Sequence, residues 1–344
     1  ADAARSRGRA RARRAAGADA VRPRAPLLLA VVMIGALVVG LQSGATWLAP
    51  REVLEGLADP RAPGAAIVRG LRLPRVLLAF LVGGSLAVTG AALQALVRNP
   101  LADPYLLGIS GGAGLGAVIA MALGLGGAFA VPLAAFVGAL AAVALVYRLS
   151  AVGGRPLDTN VLLLAGVVIS AFTGAVMSGI LAVSDASQLR SAVNWLLGGF
   201  GTAGWATVGA FAAYAAVPLA LLWSTGRSLD LLTLGDEPAL HLGADVERTK
   251  RIAYFCASLL TAASVAACGI VGFVGLVVPH AIRRVATPLH RALLPMAFLA
   301  GGSFLVLADA VARTVVRPIE LPVGVVTALV GVPVFAALLR KTLR

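Results

Sequence analysis

Residues 71–116 read LRLPRVLLAFLVGGSLAVTGAALQALVRNPLADPYLLGISGGAGLG. The stretch opens on two arginines bracketing a Leu-Pro pair, Arg72 and Arg75. An apolar run rich in glycine and alanine follows from Val76 to Val97, and about 20 such residues cross a bilayer as a helix. The polar break Arg98-Asn-Pro-Leu-Ala-Asp-Pro104 stops it, since proline removes a backbone donor and fixes φ. A second apolar run starts behind the break, with Gly108, Gly112 and Gly116 spaced four apart along one helical face. That spacing predicts close helix packing, with the lining of a wide pore as the alternative.

Outward from this stretch the same unit recurs. Apolar runs cover about 27–48, 74–97, 105–123, 129–149, 160–182, 206–224, 251–270, 272–286, 295–314 and 322–340, which predicts ten spans. Composition agrees: 59% of residues are hydrophobic and 13% charged, where soluble domains carry about a quarter charged. Forty glycines suit helices packed closely in lipid, and aromatic residues at 6% argue against a girdled barrel. The expected fold class is an all-α integral membrane protein. A single transmembrane domain over 27–344 follows a basic, disordered cytoplasmic tail over 1–26.

The net charge of +14 does not point to nucleic acid, because the basic residues flank apolar runs. With the N-terminus in the cytoplasm, alternating spans place 21 Lys and Arg on the cytoplasmic side and 8 outside. That is the positive-inside pattern, and it predicts both termini cytoplasmic. Three connections exceed tight turns. Residues 50–70 are expected as an external loop and 184–205 as a short external helix ending at glycines. Residues 228–250 are expected as two short cytoplasmic helices, 235–243 and 244–250.

The chain offers little for catalysis. His241, His280 and His290 are far apart, and Cys256 and Cys268 lie twelve residues apart in one predicted helix, so neither metal-site spacing nor an intrahelical disulfide arises. Lys250 and Lys341 are the only lysines, and neither follows the glycine loop that holds nucleotide phosphates. The chain is therefore not expected to be an enzyme, nor to bind ATP and magnesium itself. Asp309 is the one acid well inside a span, with Arg313 four residues on and on the same face. Either an internal ion pair or a functional acid fits that spacing.

The motifs RxPR, Q-x3-RNPLADP and LGISGGAG, in this order, resemble the FecCD/BtuC family of permeases. Further matches are Trp195–Gly201 (WLLGGFG), Gly272–His280 (GFVGLVVPH), Ala308–Arg313 and Glu320–Val325. The resemblance covers roughly 27–341. It implies ten spans in two inverted halves and a homodimer with its pore at the two-fold axis. Two copies of an ATPase subunit would sit on the cytoplasmic side and one periplasmic binding protein outside, in a bacterial inner membrane. No repeat is evident in the sequence itself.

The resemblance also carries roles to matching residues. Arg72, Arg75 and Arg313 would pair with glutamates of the binding protein; snorkelling at the headgroup boundary is the alternative. Leu234, Gly235, Asp236, Glu237, Pro238, Ala239, Leu240, His241 and Leu242 would form the segment seated on the ATPase. Leu101 and Thr159, with Asn99 and Asn160 beside them, would line the cytoplasmic gate. WLLGGFG would serve an external gate or anchor at the interface. The implied cargo is a metal chelate. Haem is the expected one, because the arginine-rich external loop suits its two propionates; cobalamin and ferric siderophores are the alternatives. An ion-coupled transporter would need more titratable groups at mid-membrane.

Overall fold

The computed structural model describes residues 24–125, 127–150 and 158–342, which are helical with short connections. The tail expected over 1–26 lies almost wholly outside the described residues. Helix α1 spans Ala25–Gln42 and α2 Pro50–Ala58; α3, Leu73–Val97, continues from helical turns at Ala65–Ile67 and a π turn at Val68–Arg72. A 3-10 turn at Pro104–Leu107 leads into α4, Ile109–Ala122, followed by α5 (Ala130–Ser150), α6 (Thr159–Val183), α7 (Ala186–Leu196) and α8 (Trp205–Ser224). Two short helices, α9 (Gly226–Leu232) and α10 (Asp236–His241), precede α11 (Val246–Cys268), α12 (Val274–Val285), α13 (His290–Ala312) and α14 (Val323–Thr342).

Among the described residues, seven helices are long and apolar enough to cross a membrane, and 109–122 and 323–337 are shorter apolar stretches. Helix α12 has 12 residues, about 18 Å of rise. The expected loop at 50–70 is mostly helical, because α2 and the lead-in turns of α3 occupy it. The helix expected at 244–250 is instead the first turn of α11, capped where the Asp245 carboxylate accepts the Arg248 N–H at 3.0 Å. Helix α7 lies where expected. Its N-cap Asp185 is held below the usual carboxylate range by the Gln188 N–H and the Ser187 hydroxyl.

Helix α3 is the centre of the bundle, packed by α13, α11, α12 and α8. Its most apolar window is 83% buried, against 28% for α5 and α6. Small residues make this possible. Gly83 and Gly301 face each other so closely that a Cβ on either would strike the other's carbonyl. Beside them Phe298 fills the notch at Gly84, and Phe80 fills the notch at Gly302. The two rings meet edge to face, with centroids 5.7 Å apart. Gly112 packs on Gly138 and Gly116 on Ala134, so two of the three glycines of the predicted face lie against α5, while Gly108 lies against Gly166 of α6.

Helix α4 is short because the chain before it turns back into the bundle. The backbone of Leu106 and Leu107 presses on Gly166, about 10 Å along α6 from its start. Gly108, at φ 76°, makes the turn into α4. Cys256 and Cys268 are free and buried.

Candidate functional site

The alternation of helix ends gathers charged residues on two rims. One rim holds the end of α1, α2, the start of α3, α7 and the end of α13. There, Arg75 Nη2 lies 2.9 Å from Asp309 Oδ1 and Arg75 Nη1 2.9 Å from Glu320 Oε2. Arg313 Nε lies 2.9 Å from Asp309 Oδ2. Arg313 also donates to the carbonyls of Ser43 at 2.8 Å and Gly40 at 3.1 Å. Arg72 donates to Leu41 at 2.8 Å, Gln42 at 2.6 Å and Thr46 at 2.7 Å. Carbonyls in the last turn of a helix lack intrahelical donors. The two arginines supply them, and so cap α1.

The three arginines singled out from the sequence are thus brought together, but unequally placed. Arg72 and Arg313 are 6% and 4% exposed. Arg75 meets the surface through Glu320, whose side chain is 47% exposed. The Asp309–Arg313 pair exists, and Arg75 makes it a triad. Glu320, which opens the Glu320–Val325 motif, completes the set; nothing in its spacing ties it to Arg75 across some 245 positions.

The opposite rim carries the basic excess. Helix α10 anchors through buried Ala239 and presents Leu240 at 58% exposure, with Leu234 and Leu242 flanking the helix at 60% and 57%. Glu237, Pro238 and His241 are also exposed, and Gly235 turns the chain at φ 115°. Asp236 pairs with Lys250 at 2.7 Å and stands 3.9 Å from Arg98. Arg98 ends α3 in the left-handed region, at φ 54°. Residues 234–242 therefore touch the base of the RNPLADP loop.

In that loop the Asn99 Oδ1 accepts the Leu101 N–H at 2.9 Å, leaving the Leu101 side chain exposed. Thr159 begins α6 behind Asp158, whose carboxylate accepts the Asn160 N–H at 2.8 Å; Asn160 faces out. Tyr105 pins the loop to the α11–α12 break. Its hydroxyl donates to the Val271 carbonyl at 2.9 Å and accepts the Val271 N–H at 3.1 Å. Sequence reasoning missed Tyr105, although a lone phenol after a proline break was the available signal. The WLLGGFG segment joins the same break to α14: Gly199 N–H donates to Cys268 at 2.7 Å, and Val323 N–H to Gly198 at 3.0 Å. Among the described residues no group of three or more His, Cys, Asp or Glu could hold a metal ion.

A multi-pass helical membrane protein with a short helix pair on one rim and a buried ion triad on the other is built as a transport permease. The chain belongs to the FecCD transport family, whose model matches residues 28–341, and so to the ABC-importer permeases of that family. It is 44% identical to the ABC transporter permease protein YvrB of Bacillus subtilis, over 79% of this chain and 78% of the relative. It is 46% identical to the cobalamin import system permease protein BtuC of Halobacterium salinarum, over 80% of this chain and 73% of the relative. The vitamin B12 import system permease protein BtuC of Escherichia coli O157:H7 is 40% identical over 92% of this chain and 94% of its own. A metal-chelate type ABC transporter solved in an inward-facing conformation matches with TM-score 0.80 and 29% identity, over 93% of this chain and 99% of that one.

Proposed function

We propose that this chain is the permease of a corrinoid importer, taking cobalamin from a periplasmic binding protein to the cytoplasm. The observation that carries the reading is the pair of cobalamin-import relatives at 46% and 40% identity. Haem, expected from the arginine-rich external loop, is the second reading, since Arg51 and Arg61 there are exposed. Arg72 and Arg313 would not contribute to it, because both are buried and engaged with α1 carbonyls.

The basic rim is cytoplasmic by the positive-inside rule, and both termini lie on that side of a bacterial inner membrane. There the exposed leucines of α10 seat against an ATPase subunit, which binds ATP and magnesium. A second copy of the chain packs against the exposed apolar faces of α6 and α14, where Leu164, Phe172, Leu329 and Val332 point outward, and lipid covers the rest. The binding protein docks on the opposite rim. Arg75 is its readiest contact, since an acidic partner there displaces only the exposed Glu320. Cargo passes through without covalent chemistry, as the Leu101 loop and Thr159 open and close the inner end.

The test is growth of a strain lacking this gene on single supplements. Loss of growth on cobalamin, with growth on haem and ferric siderophore retained, is the expected result. Loss on haem or siderophore alone would overturn the cargo and leave the permease class standing.

A further inference from the structure

Four side chains from four helices stand in one line inside the basic rim. Asp230 Oδ1, on α9, accepts both the backbone N–H and the ring Nδ1–H of His290, each at 2.7 Å. A proton fixed on Nδ1 leaves Nε2 as the acceptor in the neutral ring. Nε2 faces Arg283 Nη2 at 3.4 Å, a donor, so the tautomer and its neighbour agree. Arg283, in the last turn of α12, donates through Nη1 to Gln94 Oε1 and through Nη2 to the Ala91 carbonyl at 3.4 Å.

Gln94 belongs to α3, and its amide nitrogen faces three carbonyls at once. Gly275 lies at 3.2 Å, Ala102 at 3.4 Å and Leu276 at 3.5 Å. Ala102 is in the RNPLADP loop, whereas Gly275 and Leu276 open α12. None of the three bonds is short, so a small rotation re-aims the donor from one acceptor to another. Gln94 and His290 are each 3% exposed. A buried polar line is a costly way merely to hold helices together, since apolar side chains do that without desolvation. What it adds is direction, because each bond has a defined partner at both ends.

We propose that Asp230, His290, Arg283 and Gln94 are positioning residues that couple the α9–α10 segment to the gate loop at Ala102. Displacement of α9 draws on His290 through Asp230. Arg283 follows, and the Gln94 amide moves on or off the Ala102 carbonyl. The inference rests on reading α10 as the ATPase contact and the Leu101 loop as the gate.

The test uses the full chain with its ATPase partner in lipid nanodiscs. A Leu101→Cys reporter is labelled with a polar maleimide, without nucleotide and after ATP–vanadate trapping, while Cys256 and Cys268 stay buried. Nucleotide should change the labelling rate about tenfold, within the usual range of coupling between sites. Gln94→Glu keeps an acceptor for Arg283 but loses the donor to Ala102; it and Asp230→Asn should flatten that change while ATP is still hydrolysed. Arg283→Gln should do the same, and if it fails to assemble the other two variants decide. A full nucleotide response in Gln94→Glu and Asp230→Asn overturns the relay alone. No response in the reporter without further substitutions removes the gate reading, and the relay with it.

Discussion

Arg75 and Arg313 grip one carboxylate, each nitrogen 2.9 Å from a different oxygen of Asp309, whose side chain is 1% exposed. The two arginines arrive from opposite directions, one opening α3 and the other closing α13. Arg313 reaches on to the end of α1, where Arg72 joins it from the π turn. One buried acid thus fixes the relative height of three helices at a single rim. Two cations around one buried anion need a second negative charge, and Glu320 provides it on the exposed side.

Asp309→Asn should therefore destabilise the protein strongly. Removing one partner from a buried charge set costs about 3–5 kcal/mol, because the remaining charges stay buried without compensation. Glu320→Gln removes a half-exposed carboxylate and should cost under about 1 kcal/mol. Thermal unfolding of the two variants in detergent separates these values. Equal melting points would mean that Asp309 is not the organising charge.

Glu320→Gln carries a second expectation, concerning docking rather than stability. With its exposed partner neutralised, Arg75 is free for an acidic group, and repulsion of that group falls. Association of the periplasmic binding protein should become faster at low salt, and the gain should fade as salt screens the rim. Arg75→Ala should slow it. Binding rates measured on immobilised permease decide the matter, and a Glu320→Gln rate equal to that of the unaltered chain rejects Arg75 as the contact.

Tyr105→Phe tests the loop anchor. The phenol satisfies both backbone groups of Val271, so its removal leaves an N–H and a carbonyl unpartnered near the α11–α12 break. The cost should be about 1–3 kcal/mol, the penalty for orphaned buried polar groups. Hydrogen exchange at 269–273 should quicken while the core of α3 stays protected. Unchanged exchange there would show that the break is held by other contacts.

Much of this architecture was legible because lipid imposes long apolar runs and concentrates charge at their ends. The spacing of Gly112 and Gly116 matches the packing of α4 on α5, whereas Gly108 belongs to the turn before it, and Asp309 four residues before Arg313 matches one edge of the triad. What escaped was whatever depends on distant segments meeting. Glu320 pairs with Arg75, and Gln94 with Arg283, across separations no periodicity encodes. Residues 244–250 were misread as a separate helix because Gly243 looks like a stop, whereas Asp245 restarts the helix at once and α11 runs on.

Leu240 provides the sharpest test of the cytoplasmic assignment. It is 58% exposed at the tip of α10, flanked by Leu234 and Leu242 at similar exposure, while Ala239 beneath it is fully buried. A charge placed there stays largely in solvent, so Leu240→Asp should fold and melt much like the unaltered protein. Ala239→Asp, by contrast, would bury a charge and unfold the segment. If an ATPase subunit covers the leucines, the same aspartate must be desolvated in the complex. Truncating or charging an anchor of that kind typically costs 2 kcal/mol or more, about a thirtyfold loss of affinity. Co-purification with the ATPase in detergent should fail for Leu240→Asp and persist for Glu237→Gln, which lies on the same exposed helix without an apolar contact to lose. Undiminished co-purification of Leu240→Asp would move the ATPase contact elsewhere on the basic rim.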